Sequence, residues 1–440
     1  MRKVGYDGLL FCQKGEKMKI LWITNWPFPE VSRRLNLSVF LSQGWLLNLA
    51  ENVAKEAELS VISISHDVDS LSAVSIRGIK HYVMPASRKL VKPAYSTYFK
   101  KIVEEVQPSI VHIFGTEFTH GNIFVQDYPD IPCILTIQGL MSRICEEYYG
   151  GLGLWDVFRY RTLRENLRLG GMYFIKKGYE KQAKKERQML QNVDYVTGRT
   201  YWDRAVLLAI NPKLKYRKCN WTLRNEFYES RKWDIARIQR HSIYTCFASY
   251  PLKGLHILLR AVALLRDEYP DIVVNVPGVQ GDTNGHIIAN TGYMRYLRDL
   301  IKTLGIEKNV AFLGAQSAED VVQSMLRANM IVIPSAIEGD SLVALEGQYI
   351  GVPLICSYRG GMTDLFDNGV DGFYYDFSEY AFLAQRIKQL FDHDDLCISF
   401  SDQGIRRGEQ RSDSQINTGT YLKLYREVFE ECYEEKQNGD

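Results

Sequence analysis

The sequence lacks any long hydrophobic run. No uninterrupted apolar stretch approaches the roughly 20 residues that cross a bilayer. The early segment VGYDGLLFCQ is too short and too polar for the apolar part of a secretory signal. We therefore expect a cytoplasmic protein, with peripheral attachment at the inner face of the cell membrane as a hypothesis that depends on a basic segment described below.

The sequence also lacks an excess of charge of one sign and closely paired cysteines. Lysine and arginine number 54 against 52 aspartates and glutamates, a formal net charge of +2, so no overall field attracts nucleic acid. The eight cysteines include no CxxC pair, and several lie in apolar runs such as TCFAS and PLICSY. Buried thiols in a reducing compartment explain them better than disulfides or zinc. We expect no nucleic-acid partner.

Four nucleotide and metal motifs are absent as well. No GxGxxG follows a strand-like run, the nearest sequence being GGLG at 150–153, and no GxxxxGK[ST] occurs. A dinucleotide-dependent dehydrogenase and a P-loop enzyme are therefore disfavoured. The eight histidines show neither HxxxH nor HExxH spacing, which argues against a zinc enzyme. We expect no metal ion and no cofactor.

What the chain does contain is a repeated alternation of short apolar runs with helical patterns. The 440 residues, 46% of them hydrophobic, suffice for about two domains. The alternation predicts βαβ units and hence an α/β fold with two doubly wound domains. Predicted strands begin near residues 19, 58, 78, 109, 133 and 193, and again near 242, 271, 309, 330, 353 and 372. The predicted divisions are a leader over 1–17, a first domain over 18–234, a second over 235–412 and a C-terminal segment over 413–440.

Two glutamates flank a predicted helix start in the second half. The apolar run over 329–336 predicts a buried strand, so that Glu338 lies in the loop at its carboxyl end. Ser341 is the predicted N-cap, and Glu346 falls in the second turn of the helix. Phosphates bind at such helix N-termini beyond parallel strands. Two solvent-exposed glutamates without a role are the alternative.

These glutamates belong to an ordered set of motifs. Lys253-Gly254 comes before them and opens a predicted helix, seven residues separate Glu338 from Glu346, and GVP at 351–353 and Gly360-Gly361 follow. In this order and spacing the chain resembles the retaining GT-B glycosyltransferases of family 4, the glycosyl transferases group 1. The resemblance implies a GT-B fold, in which two Rossmann-like domains face each other across a cleft. It also implies a C-terminal helix that packs back on the first domain.

The resemblance implies roles in binding a nucleotide-sugar donor. It places Lys253 at the donor diphosphate, where a cation meets the charge of the leaving group, and Glu338 near the transferred sugar, as the catalytic positions. It places Glu346 at the ribose hydroxyls. Further donor-binding positions are the phosphate-binding backbone at Gly339, Ser341 and Leu342, the base-packing residues Phe312 and Leu313, and Gly278, where the chain passes close to the donor. For Lys253 a solvated lysine at a helix N-terminus is the alternative.

The acceptor-side positions depart from the family pattern. Many relatives carry an arginine shortly before the lysine, but residues 241–252 contain none. Gln138, followed by Gly139, stands where many relatives have a histidine. His120 either replaces that histidine or is a loop histidine with an unrelated role. Gly44, in SQGW, stands in place of paired glycines and lets the backbone approach a ligand closely.

A basic segment over 155–190 gives a separate signal. It holds ten lysines and arginines against four aspartates and glutamates. Aromatic residues interleave with them: Trp155, Phe158, Tyr160, Tyr173 and Phe174. This composition suits an anionic membrane surface or a polyanionic acceptor. A solvated helical face is the alternative.

Together these features predict a glycosyltransferase. The expected reaction moves a sugar from a nucleotide-sugar donor to a glycan or lipid-linked acceptor, with retention of configuration, in the synthesis of cell-surface polysaccharide. The mechanism that the resemblance implies needs no metal ion. Two alternatives stay open: a GT-B nucleotide-sugar epimerase, and a non-catalytic sugar-binding protein.

Overall fold

The architecture consists of two α/β domains, each built around its own sheet. A computed structural model describes residues 17–39, 44–86, 92–167, 170–246, 248–279 and 290–438. Apart from Lys17, the predicted leader lies outside the described residues. The prediction of two doubly wound domains is confirmed.

The sheet of the first domain has the strand order β3-β4-β2-β1-β5-β6-β7-β8 in the described part of the chain. Neighbouring strands are parallel except β3 and β4, which are antiparallel. The elements are β1 (Lys19–Ile23), α1 (Pro29–Arg34), α2 (Gly44–Glu56), β2 (Glu58–Ser65), β3 (Ser72–Ile76), β4 (Ile79–Pro85), α3 (Lys92–Val106), β5 (Ile110–Phe114), α4 (Thr119–Asp127), β6 (Cys133–Thr136), α5 (Met141–Glu147), α6 (Leu154–Arg159), α7 (Leu163–Leu167), α8 (Met172–Leu190), β7 (Tyr195–Gly198), α9 (Tyr201–Ile210) and β8 (Lys215–Lys218).

The sheet of the second domain is parallel throughout its described strands, in the order β11-β10-β9-β12-β13-β14. A linker over residues 219–241, which contains a short helix, precedes it. The elements are α10 (Asn225–Tyr228), β9 (Ser242–Thr245), α11 (Leu255–Leu265), β10 (Val273–Pro277), α12 (Gly292–Leu304), β11 (Val310–Gly314), α13 (Ala318–Arg327), β12 (Met330–Ile333), α14 (Leu342–Ile350), β13 (Leu354–Ser357), β14 (Phe373–Tyr375), α15 (Tyr380–Asp392), α16 (Asp394–Arg411) and α17 (Ser414–Asn438).

Each sheet has one point at which the strand order reverses. In the first domain it lies between β1 and β5, and in the second between β9 and β12. The strands on either side are buried on both faces, as the continuous apolar runs ILWI and MIVI require. Connections that leave in opposite directions open a crevice at the carboxyl ends of these strands, which is where open α/β sheets bind ligands.

Two strands do not follow the sequence pattern used to predict the others. In β3, SAVSI, half-buried and exposed positions alternate, and β8, KYRK, is charged and partly exposed. Both lie at sheet edges, where a strand needs no continuous apolar run. Their position in the sheet, rather than their hydrophobicity, explains why the apolar-run criterion misses them.

The linker and the last helix join the domains. Trp221 of the linker stacks on Trp45 of α2 with ring centroids 4.5 Å apart, and the Trp233 backbone N–H donates to the carbonyl oxygen of Ile350 over 2.7 Å. Helix α17 returns to the first domain, where the Tyr425 hydroxyl accepts from Trp22 Nε1 over 3.1 Å. The two halves of the chain are thereby held on either side of one cleft.

Candidate functional site

An ion pair spans the reversal point of the second sheet. Lys253 follows β9 and Glu338 follows β12, and Lys253 Nζ lies 2.5 Å from Glu338 Oε1. The Ser335 hydroxyl donates to the same oxygen over 2.7 Å. The side chains are 19% and 14% exposed, so the pair is reachable but mostly shielded from water.

The charge of Lys253 follows from its partner. Burial by itself lowers the pKa of a lysine, but the negative charge of Glu338 opposes it and raises the pKa of Lys253 above its ordinary value. Lys253 is therefore an ammonium ion at neutral pH. An ammonium carries three donors, and Glu338 Oε1 takes one, so this site offers positive charge and hydrogen bonds to an anion.

Glycines shape the backbone around this pair. Gly254 has φ 67°, and a Cβ there would lie 1.6 Å from the carbonyl oxygen of Pro334. A Cβ at Gly361 would lie 1.8 Å from the carbonyl oxygen of Gly339. The Gly361 backbone N–H donates to the Glu338 carbonyl oxygen over 2.8 Å. The Lys-Gly and Gly-Gly motifs therefore allow loops to pack directly on the segment that carries Glu338.

Helix α14 begins beside the ion pair. Ser341 is its N-cap, and the hydroxyl oxygen accepts from the Ala344 N–H over 3.4 Å. Ser341 is buried, and Leu342 is half-buried. Their backbone N–H groups belong to the first turn, where the helix dipole is positive. The structure thus places Gly339, Ser341 and Leu342 next to Glu338 at one helix N-terminus.

Glu346 is paired with an arginine that the sequence analysis did not identify. Arg224, in the linker, donates from Nε to Glu346 Oε1 over 2.7 Å and from an Nη to Oε2 over 2.8 Å. The side chains are 16% and 2% exposed. Burial raises the pKa of Glu346, and the charge and hydrogen bonds of Arg224 oppose that rise. Since 122 residues separate the partners, no local motif reveals the pair.

Gly44 makes room for this arginine. A Cβ at Gly44 would lie 2.8 Å from Arg224 Cγ and 2.9 Å from Cδ. Helix α2, which begins at Gly44, therefore starts against the Arg224 side chain that binds Glu346. The structure brings Gly44, Arg224 and Glu346 together, although they come from the first domain, the linker and the second domain.

A second buried ion pair ties the same loop to the first domain. Asp340, between Glu338 and Ser341, lies 3.3 Å from Arg199 Nε and 3.1 Å from an Nη of Arg411. Asp340 and Arg199 are each 1% exposed. Arg199 follows β7 and donates to the Ile137 carbonyl oxygen over 2.7 Å. The loop that carries Glu338 and Asp340 is therefore anchored across the cleft.

Gly278, Phe312 and Leu313, which are predicted to lie near the donor, belong to the β10–β11 edge of the second sheet. Gly278, after β10, has φ 72° and donates its N–H to the Gly314 carbonyl oxygen over 2.6 Å. Phe312 is 6% exposed, whereas Leu313 is 36% exposed. Because neighbouring side chains of a strand face opposite sides, these two residues do not share one surface. Leu313 is the one accessible to a ligand.

The predicted acceptor-side residues divide between the interface and the interior. The backbone carbonyl oxygen of Gln138 lies 3.9 Å from the Cβ position of Gly339, so Gln138 and Gly139 stand at the cleft. His120 is buried in α4, with Nε2 3.2 Å from the Thr24 carbonyl oxygen. Burial lowers the pKa of His120 to about 4 against the opposing effect of that hydrogen bond. The imidazole is therefore neutral and contacts the backbone after β1.

Neither a metal-binding cluster nor a membrane-spanning helix occurs in the described residues. They contain no group of three or more His, Cys, Asp or Glu side chains placed to hold a metal ion. In the same part of the chain, no helix has both the length and the apolar character needed to traverse a bilayer.

Sequence comparison connects the second domain to a known family. Residues 245–407 match the profile of the family described as glycosyl transferases group 1. A D-inositol 3-phosphate glycosyltransferase of Corynebacterium urealyticum is 32% identical over 178 residues, which is 40% of this chain and 41% of the relative. The chain therefore aligns with less than half the length of this curated relative. The matched range contains Lys253, Glu338 and Glu346.

Comparison of structures extends over both domains. Sucrose-phosphate synthase from Thermosynechococcus elongatus superposes with a TM-score of 0.72 at 15% identity, covering 93% of this chain and 99% of that one. HepE from Anabaena, solved in complex with UDP-glucose, gives 0.66 at 15% identity, covering 92% and 99%. At such identity the likeness concerns the fold. The chain has the GT-B fold.

Proposed function

We propose that this chain is a retaining GT-B glycosyltransferase that moves a hexosyl group from a nucleotide-sugar donor to a hydroxyl of a glycan or lipid-linked acceptor. The observation that carries the proposal is the ion pair of Lys253 and Glu338 at the reversal point of the second sheet, beside the N-terminus of α14. The family match of the second domain supports it. Cell-surface polysaccharide synthesis is the setting we favour.

In this mechanism the second domain binds the donor. Lys253 and the first N–H groups of α14 bind the diphosphate and stabilise the charge that builds on it as the glycosidic bond breaks. Glu338, beside Lys253, faces the sugar. Its carboxylate stabilises the positive charge that develops on the sugar in the transition state. Glu346 lies one turn further along α14 and binds the ribose hydroxyls. The acceptor oxygen bonds to the anomeric carbon from the face that the phosphate leaves, and a phosphate oxygen takes the hydroxyl proton.

The proposed acceptor is a molecule with a free hydroxyl group. The name of the curated relatives, D-inositol 3-phosphate glycosyltransferase, adds phosphorylated cyclic polyols to the glycans and lipid-linked molecules that should be tested. The acceptor lies on the first-domain side of the cleft, where Gln138 and Gly139 stand opposite Gly339. Gly44 contributes indirectly, since it accommodates Arg224.

Nucleoside diphosphate binding tests the proposal. UDP, GDP and ADP are added separately to the protein in EDTA, and thermal unfolding is followed. We expect at least one of them to raise the unfolding temperature, because a ligand at about 100 times its Kd stabilises the native state by about 2.7 kcal/mol. Lys253 and the helix N-terminus supply the positive charge, so EDTA should not abolish the effect.

The control variant is Glu104→Gln, an exposed glutamate of α3 whose side chain is 63% exposed. It should respond to the nucleotide as the wild type does. If no nucleoside diphosphate shifts the unfolding temperature, or if the shift requires added Mg²⁺ or Mn²⁺, the proposed donor site is wrong.

We also propose that an apolar and basic surface attaches the first domain to anionic membrane. Six large apolar side chains of α6, α7 and the start of α8 are between 41% and 86% exposed: Leu154, Trp155, Phe158, Leu163, Leu167 and Ile175. Arg161 lies over the ring of Phe158 at 5.8 Å, so positive charge accompanies the apolar groups. Such a surface suits the boundary of headgroups and acyl chains. We call these six residues the α6–α8 surface.

Other residues of the 155–190 segment make contacts within the protein. Glu165 accepts a hydrogen bond from the Gly292 N–H over 2.9 Å, at the start of α12, and Tyr160 contacts Tyr296 with ring centroids 5.4 Å apart. Glu186 is buried and accepts from the backbone N–H groups of Met141 and Ser142. These residues join elements of the protein, so the membrane surface is smaller than the 155–190 segment.

Vesicle sedimentation tests this surface. Phosphatidylglycerol vesicles should bind the protein at low salt and release most of it near 0.5 M salt, where the Debye length is about 4 Å. Replacing Trp155 and Leu167 with serine should reduce binding severalfold, whereas Ile416→Ser, which changes a residue of α17 that is 63% exposed, should not. Equal binding to neutral phosphatidylcholine vesicles, or equal loss in the Ile416 variant, would reject the α6–α8 surface.

A further inference from the structure

A carboxyl group occupies the reversal point of the first sheet. Asn25 follows β1 and Glu117 follows β5, the two strands between which the strand order reverses. Asn25 Nδ2 donates to Glu117 Oε2 over 3.2 Å. Asn25 is 5% exposed, and Glu117 is half-buried. The pair therefore lies in the crevice where an open α/β sheet binds its ligand.

The second domain has the same arrangement. Lys253 follows β9 and Glu338 follows β12, on either side of the reversal point of that sheet. Each domain thus holds one nitrogen donor and one glutamate across its own crevice. The nitrogen donor of the second-domain pair is a positively charged ammonium group, suited to a diphosphate. The first-domain pair has an amide instead, which suits an uncharged ligand.

The backbone holds Glu117 in this position. Gly115 has φ 98°, a conformation that L side chains rarely adopt. A Cβ there would lie 2.1 Å from Glu117 Oε2 and 2.9 Å from Asn25 Nδ2. Gly115 therefore lets the chain after β5 turn so that the carboxyl group folds back over it toward Asn25.

The surroundings of Glu117 connect it to the cleft. Burial raises the pKa of Glu117 to about 7; the Asn25 hydrogen bond lowers it, and the charge of Glu186 raises it further. Tyr179 of α8 lies close enough to both domains to sense Glu117 and Lys253: burial and Glu117 raise its pKa, and Lys253 lowers it. The charges of the first-domain carboxyl group and the second-domain ammonium group therefore both act on the phenol of Tyr179.

We propose that Asn25 and Glu117 form the hydroxyl-binding subsite for the acceptor, which we infer to be a cyclic polyol or a sugar ring. The carboxylate accepts a hydrogen bond from the acceptor hydroxyl, because an ionised carboxylate has several acceptor positions and the described side-chain bond uses only Oε2. Asn25 has a second N–H to donate to a hydroxyl oxygen. This inference rests on the proposed function and deepens it on the acceptor side.

Saturation-transfer NMR tests the subsite with two probes, myo-inositol and D-glucose. Each is added to full-length protein that is saturated with whichever nucleoside diphosphate raises its unfolding temperature most. We expect at least one probe to bind the wild type. Glu117→Gln should weaken that binding about tenfold and leave nucleotide affinity within about twofold, since a neutral amide is a weaker acceptor than a carboxylate. Glu104→Gln is the matched control and should bind the probe normally.

The pH dependence separates a binding role from a structural one. Because the carboxyl group must be ionised to accept strongly, wild-type affinity for the probe should fall about tenfold, to that of Glu117→Gln, as the pH drops through about 7. The groups that act on Glu117 are its own backbone N–H, the Thr116 backbone N–H, Asn25 and Glu186. Tyr179, on which the charge of Glu117 acts, stays neutral over this range because its pKa is raised. Glu117→Gln should show a flat profile.

Three results would overturn the inference. They are the absence of binding by both probes, an unchanged affinity in Glu117→Gln, and a wild-type affinity that does not vary between about pH 6 and about pH 8. In each case intact nucleotide binding in the same samples would leave the donor site standing. Loss of nucleotide binding by the wild type would instead reject the proposed function, and with it this subsite.

Discussion

Replacing Lys253 with methionine is expected to lower kcat for glycosyl transfer by about 10²- to 10³-fold, the usual effect of removing one group that stabilises transition-state charge. Methionine retains length and apolar volume but carries no charge. The remaining positive end of α14 cannot replace an ammonium at the leaving diphosphate. Steady-state rates with the nucleotide-sugar identified by the binding panel measure the effect.

Glu338→Gln tests the other member of the ion pair. The glutamine keeps the shape of the side chain and can still accept from Ser335, but it offers no negative charge to the sugar. We expect turnover to fall while affinity for the free nucleoside diphosphate changes by less than about threefold, because the sugar is absent from that ligand. If Glu338→Gln weakens nucleotide binding and leaves turnover unchanged, Glu338 supports the fold and not the reaction.

Glu346→Gln is expected to weaken binding of the free nucleoside diphosphate by roughly 1.5–3 kcal/mol, the range for hydrogen bonds to a charged group. This corresponds to about 10- to 150-fold in Kd. Glu346 lies in the second turn of α14. Its carboxylate therefore reaches the ribose when the diphosphate binds at the N-terminus of this helix. Calorimetry with the nucleotide alone measures the affinity.

Because Glu346 is paired with Arg224, the effect of Glu346→Gln on stability must be measured separately from its effect on binding. Glu346→Gln also loosens the bidentate contact of Arg224, and Arg224→Met leaves a carboxylate that is 2% exposed without its cation. Breaking a buried ion pair in this way costs up to about 3–5 kcal/mol. The double variant Arg224→Met with Glu346→Gln removes both charges, so urea denaturation should show most of that stability restored.

Stability and nucleotide affinity should respond differently in the double variant. Stability returns in the double variant, but nucleotide affinity does not, because the ribose has lost its carboxylate. A double variant that recovers both would mean that Glu346 serves only to anchor the linker. Equal and independent losses of stability in the two single variants would mean that the contact between Arg224 and Glu346 contributes little.

The sequence alone was sufficient for the parts of the protein that depend on neighbouring residues. Strands such as β1 and β12 are continuous apolar runs buried on both faces, and the spacing of helices between them requires parallel sheets. Ser341 starts α14 because its hydroxyl satisfies a free N–H of the first turn. Lys253-Gly254 and Gly360-Gly361 are visible in the sequence as motifs, whereas the carbonyl oxygens that exclude a Cβ at Gly254 and Gly361 belong to the distant residues Pro334 and Gly339. The fold class followed from these signals and is confirmed.

The tertiary structure alone decided which distant residues meet. Arg224 reaches Glu346 because the linker crosses between the domains, and Asn25 reaches Glu117 because β1 and β5 are neighbours although 92 residues separate the two side chains. Phe312 and Leu313 are adjacent in sequence but face opposite sides of β11. The physical reason is the same in each case. Local propensity depends on a few consecutive residues, whereas strand order, sheet face and domain packing are set by burial of the whole chain.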